Sequence, residues 1–121
     1  MIRGIGSDLV RIERFRRPLT KLHFVERIFT KEEQKLLETS GDPVTFAAGR
    51  WAAKEAVVKA LGTGFAGCEP GEISIERSER GVPVVRLLGK AETLLNPGEK
   101  IWVTITHEKD YAAAFAVLEG E

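Results

Sequence analysis

Arg50-Trp51-Ala52-Ala53-Lys54-Glu55-Ala56-Val57-Val58-Lys59-Ala60-Leu61-Gly62 is the stretch that decides the reading of this chain. It is dense in alanine and straight-chain residues and has no proline or internal glycine, so it predicts a helix. Gly62 and Gly64 stop that helix, because glycine takes the left-handed conformation in which a chain leaves one. Glu55 and Lys59 stand four apart and share a face. Ala53, Ala56, Val57 and Ala60 form a small apolar stripe suited to close packing. A carboxylate and an amine side by side suit a metal and a phosphate. They suit equally a plain salt bridge, worth about 0.2–0.5 kcal/mol.

Outward from this helix the chain reads as α+β, an antiparallel sheet with helices on one side and the long helix packed on it. Ile2–Ser7 predicts a short strand whose glycines let another backbone come close. Leu9, Ile12 and Phe15 then recur at helical spacing, and Pro18 ends that run. Thr30-Lys31-Glu32-Glu33 has the form of a capping box opening a helix to about Thr39. Ser40-Gly41-Asp42-Pro43 breaks the chain before the long helix, roughly Val44 to Leu61. Glu72–Glu76 and Pro83–Leu88 predict a hairpin around Ser78-Glu79-Arg80-Gly81. Ala91–Leu95 predicts a helical turn or two. Lys100–Thr106 and Tyr111–Leu118 predict two strands joined by the loop His107-Glu108-Lys109-Asp110.

Composition narrows the function. The 121 residues are expected to form one domain, 1–121. Eighteen basic residues balance eighteen acidic ones, which argues against a nucleic-acid binder. No apolar run reaches membrane-spanning length, and charged Arg3 and Asp8 in the first ten residues do not suit a signal peptide. A cytoplasmic location with no membrane partner is the expectation. Cys68 is the one cysteine, with no evident base beside it. The balance is uneven, however: Met1–Lys31 holds eight basic residues against three acidic ones. A basic surface on a neutral protein suggests an acidic partner.

Three segments carry the chemistry in order: Gly4-Ile5-Gly6-Ser7-Asp8, the Arg50–Gly62 helix, and Thr106-His107-Glu108-Lys109-Asp110-Tyr111-Ala112. With Phe29-Thr30-Lys31-Glu32-Glu33 as a fourth patch, this order resembles the short-type phosphopantetheinyl transferases, the holo-(acyl-carrier-protein) synthase family, over nearly the whole chain. The resemblance implies transfer of 4′-phosphopantetheine from coenzyme A to a serine of an apo acyl carrier protein in fatty acid biosynthesis, with 3′,5′-ADP leaving. It implies Mg²⁺ held by Asp8 and Glu55, and catalysis by Asp8, Glu55 and Lys59. Glu55 or a metal-bound water is the base, and both stand open. Coenzyme contacts fall on Arg50, Lys54, Lys59, Gly62, Thr106 and His107.

Each residue also has a plainer role. Asp8 reads as an N-cap for a helix from Leu9. Arg50 and Lys54 read as solvated side chains, His107 as a loop residue or strand-end cap, and Gly62 as a helix stop. Arg11 and Arg14, three apart, read as one solvated face of the helix after Asp8, and Arg16, Arg17 and Lys21 extend its positive surface. By the resemblance, they dock the acidic carrier. The short-type family also implies a homotrimer with sites between subunits. Two alternatives stand: the same chemistry on a polyketide or peptide-synthetase carrier, and a non-catalytic module that binds coenzyme A or the carrier. Val58 stands where several relatives carry a small hydroxyl residue, and Trp51 where phenylalanine is more usual.

Overall fold

A computed structural model describes residues Met1–Glu121. Three strands, β1 (Ile2–Arg11), β4 (Lys100–His107) and β5 (Tyr111–Glu119), form an antiparallel sheet in the order β1-β5-β4. Alternation gives this sheet its two faces. Along β5, Ala112, Ala114, Ala116 and Leu118 are buried, while Tyr111, Phe115 and Glu119 are exposed.

Helix α3 (Pro43–Leu61) covers the inner face. Asp42 caps its start by accepting the Thr45 N–H at 3.2 Å, and Pro43 takes the first position, where no donor is needed. Gly62, at φ +82°, ends it. Gly4 and Gly6 are what bring β1 against it. A Cβ on either would lie 2.0 Å from a carbonyl oxygen of α3, that of Ala60 or Ala56 respectively. Backbone therefore meets backbone, as the N-terminal glycines predict.

A second layer holds α1 (Leu22–Ile28), α2 (Lys31–Thr39) and the two-stranded hairpin of β2 (Ile73–Arg77) and β3 (Pro83–Leu87). Both halves of the Thr30–Glu33 capping box are present at the start of α2. A single turn, α4 (Gly89–Glu92), leads toward β4. No helix is long and apolar enough to cross a membrane.

One expected element is different. No helix starts at Leu9, and Asp8 caps nothing, because β1 continues to Arg11 and pairs with β5 as far as Arg11↔Tyr111. Pairing along β5 meets the backbone donors that a helix would have used. Leu9 consequently points outward while Val10 is buried. Two 3-10 turns follow, over Ile12–Phe15 and Pro18–Thr20, with Pro18 opening the second rather than closing a helix.

Candidate active site

Asp8 lies on the inner row of β1 with Gly4, Gly6 and Val10, so it faces α3. Lys59 reaches it from the helix, donating from Nζ to the Ser7 carbonyl at 2.9 Å and to Asp8 Oδ1 at 3.3 Å. The Asp8 side chain is 17% exposed and that of Lys59 51%. Glu55 stands one helical turn before Lys59. Burial first, and then the charge of Asp8, hold Glu55 above the usual carboxylate range, with Lys59 opposing. A carboxylate raised in part by a neighbouring carboxylate charge marks a place for a cation. No third acidic, histidine or cysteine ligand joins them. A pair of hard oxygen donors fits Mg²⁺, which takes one or two carboxylates and fills its remaining positions with water and phosphate.

A second group lies at the other edge of the sheet. Arg50, Arg77 and His107 line an open cleft of about 350 Å³ with Phe46, Gly81 and Pro83. The Arg50 guanidinium sits 4.4 Å from the centre of the Phe46 ring, and that of Arg77 6.0 Å from the same ring. Burial and the nearby Arg77 pull Arg50 down to about 10. Asp42 also borders the cleft, but Thr45 occupies its carboxylate from both N–H and hydroxyl. Two guanidiniums converging on one cleft suit a phosphate or another anion. Arg77, Gly81 and Pro83 were not among the sequence candidates, and no motif surrounds Arg77 to mark it.

β5 separates these two groups, since Asp8 is on β1 and His107 on β4. The cleft lined by Arg50 and His107 includes none of Asp8, Glu55 and Lys59.

A sequence profile described as the 4′-phosphopantetheinyl transferase superfamily matches residues 4–116. The chain belongs to this superfamily. It is 43% identical to a holo-[acyl-carrier-protein] synthase of Clostridium kluyveri, over 98% of this chain and 91% of that one. A synthase of the same name from Maridesulfovibrio salexigens is 46% identical over 98% and 99%. Among solved structures, a holo-(acyl-carrier-protein) synthase from Bacillus anthracis in complex with CoA (3′,5′-ADP) superposes with a TM-score of 0.85. It is 32% identical, covering 100% of this chain and 99% of that one.

Within this transferase several expected site residues take other places. Lys54 does not reach a coenzyme. It is fully buried, and its ammonium donates to Glu33 Oε1 at 2.7 Å, to the Pro70 carbonyl at 2.9 Å and to the Ile73 carbonyl. Three protons meet three acceptors, so none remains for a phosphate. Burial lowers the Lys54 pKa, and Glu33 opposes that shift. Thr106 and His107 lie on opposite faces of β4, with only His107 on the cleft side. Gly62 serves as the helix stop, its N–H donating to the Lys59 and Val58 carbonyls.

The basic residues of the N-terminal segment share no helix. Arg11 ends β1 and donates to the Tyr111 hydroxyl at 3.0 Å. Arg14 belongs to the first 3-10 turn. Arg16 and Arg17 link the two turns, Arg16 being paired to Glu13 at 2.7 Å, and Lys21 precedes α1. Arg14, Arg17 and Lys21 have no carboxylate partner within the chain and are exposed.

Proposed function

We propose that this transferase moves the 4′-phosphopantetheine group of coenzyme A to a serine of an apo acyl carrier protein, in the cytoplasm and in the service of fatty acid biosynthesis. Residues 1–121 act as one transferase domain. The observation that carries the reading is the meeting of Asp8, Glu55 and Lys59 across a strand–helix contact that glycines hold at backbone distance.

The serine oxygen attacks the phosphorus of the pantetheine phosphate, its proton leaves, and the bond to 3′,5′-ADP breaks. Such transfers depend mainly on positioning and on neutralising charge. Asp8 and Glu55 would hold Mg²⁺, which supplies positive charge against the coenzyme's pyrophosphate. Glu55, or a water held beside it, would accept the serine proton. Lys59 places an ammonium where the departing phosphate gains charge. Arg50, Arg77 and His107 would hold a further phosphate of the coenzyme.

The outer sheet face supports a homotrimer. It exposes Ile5 (72%), Leu9 (65%), Phe115 (57%) and Trp102 (55%) on neighbouring strands, a patch that a soluble monomer rarely carries. The separation of the two site groups supports an active site shared between copies, Asp8, Glu55 and Lys59 coming from one and Arg50 and His107 from its neighbour. The test is to incubate protein, coenzyme A and Mg²⁺ with apo acyl carrier protein and weigh the carrier. A gain of one phosphopantetheine is expected, and none when the metal is chelated. Mixing inactive Asp8→Ala with inactive His107→Ala should restore activity after subunit exchange. An unmodified carrier overturns the transfer, and an inactive mixture overturns the shared site.

A further inference from the structure

Strand β2 has one strand neighbour, β3, yet its other edge is not left open. In an antiparallel pair alternate residues turn both backbone groups toward the partner. The Leu88 N–H donates to the Glu72 carbonyl, so Ser74 and Glu76 continue the row facing β3. Ile73 and Ile75 turn theirs away. The Ile73 N–H donates to the Pro70 carbonyl, and side chains meet the other three groups. Lys54 donates to the Ile73 carbonyl, the Ile75 N–H donates to Glu33 Oε2 at 2.7 Å, and Arg50 Nε donates to the Ile75 carbonyl at 3.1 Å. Three side chains from α2 and α3 stand where the backbone of a third strand would be.

Glu33 ties the set together. Its Oε1 also accepts the Thr30 N–H at 2.8 Å, and Thr30 Oγ1 bonds Ser74 Oγ at 2.7 Å. One carboxylate thus caps α2, neutralises the buried lysine of α3 and holds β2. Stability alone does not call for charge here, since buried ion pairs are often replaced by apolar residues without loss. An apolar pair, however, offers nothing to Ile73 and Ile75. The hairpin docked in this way is one wall of the cationic cleft, because β2 ends at Arg77, the turn beyond it carries Gly81, and β3 begins at Pro83. Arg50 joins both parts, holding Ile75 and lining the cleft.

We infer that Glu33 and Lys54 are positioning residues for the anion cleft: by docking the free edge of β2 on α3 they set Arg77 against Arg50, and so set the affinity for the coenzyme's phosphates. The inference rests on the coenzyme reading of that cleft. Its test is calorimetric titration of the whole protein with 3′,5′-ADP. The paired variant Glu33→Gln/Lys54→Met removes both charges at similar volume. Its dissociation constant should rise about tenfold, in the range usual for coupling between sites. Its kcat at saturating coenzyme should stay within about twofold of wild type, as Asp8, Glu55 and Lys59 are untouched. A folded paired variant that binds 3′,5′-ADP like wild type overturns the inference.

Should that variant not fold, wild-type amide exchange decides. Linkage is reciprocal, so bound 3′,5′-ADP must slow exchange at the Ile75 amide more than at β5 amides. Equal slowing at both overturns the inference. Arg50→Ala separates the two claims. If it binds 3′,5′-ADP as wild type does, the cleft assignment fails, and the positioning role falls with it.

Discussion

Replacing Gly6 with alanine would set a Cβ 2.0 Å from the Ala56 carbonyl oxygen, 2.9 Å from the Ala60 nitrogen and 2.9 Å from Lys59 Cβ. Carbon–oxygen contacts of this kind settle at about 3.3–3.6 Å, so strand and helix must part by roughly 1.3 Å along that line. None of the three obstacles is the flexible tip of a side chain. Overpacking a well-packed core costs about 1–3 kcal/mol, and backbone that cannot turn aside points to the upper end. About 3 kcal/mol in a chain of this size lowers Tm by about 10–15 °C. Turnover should suffer beyond stability. Asp8 is two residues along the same row of β1, and Glu55 and Lys59 flank Ala56 and Ala60 on α3. A misplacement of about 1 Å costs about 10²-fold in rate. Thermal melts by circular dichroism and mass-detected carrier modification, run well below the variant's Tm, read the two effects separately. Gly41→Ala, with open space around its Cβ, is the control and should be silent or slightly stabilising. A Gly6→Ala protein with wild-type Tm and turnover would refute the backbone contact as the device that sets the site.

Glu55 is held above its ordinary value of 4.5, so the folded chain binds this proton more tightly than the unfolded one. Stability should therefore fall as pH rises through the window just above 4.5. Glu55→Gln should flatten that slope and raise Tm at neutral pH in chelator, while turnover drops about 10²-fold or more; an unchanged pH–Tm profile counts against it. Lys59→Ala should lower kcat more than it raises KM for coenzyme A, because its charge matters most as 3′,5′-ADP departs. A pure KM effect in steady-state kinetics would confine Lys59 to binding. Phe115→Glu, on a face exposed in the single chain, should leave its fold intact yet give monomers by sedimentation. An intact trimer with glutamate at 115 would move the interface elsewhere. Arg14→Glu should raise KM for the carrier about three- to tenfold, with a weaker salt dependence and unchanged coenzyme affinity. Arg16, already paired to Glu13, should matter less.

Local signals were legible in the sequence. The capping box at Thr30 and Glu33, the proline and glycine that bound α3, and the Gly4/Gly6 contact each depend on a few adjacent residues with fixed chemistry. The chain from Asp8 to Phe15 was not, because Leu9, Ile12 and Phe15 keep helical spacing while β5 draws the backbone into a ladder as far as Arg11. Tertiary pairing overrode local preference there. Lys54 shows another limit. Next to Glu55 in sequence, it turns to the opposite layer because Glu33, twenty-one residues away, waits there. Arg77 enters the cleft only through the docking of β2 on α3, which no spacing within β2 encodes. The shared face of Glu55 and Lys59 follows from their spacing of four, whereas Asp8 stood out only through the family resemblance, its own segment suggesting a helix cap; the glycines of β1 bring the two segments together.

The helix–sheet seam is built mostly of methyl groups: Ala52, Ala53, Ala56 and Ala60 on α3 and Ala112, Ala114 and Ala116 on β5 are all essentially buried. Alanine has no rotamers to freeze, so this seam closes at almost no cost in side-chain entropy. It also has none to explore. The distance between Asp8 and the helix that carries Glu55 and Lys59 is consequently set by main-chain shape rather than by a population of side-chain states. Such a spacing drifts little with temperature, and no neighbouring side chain can swing over to absorb an error in it.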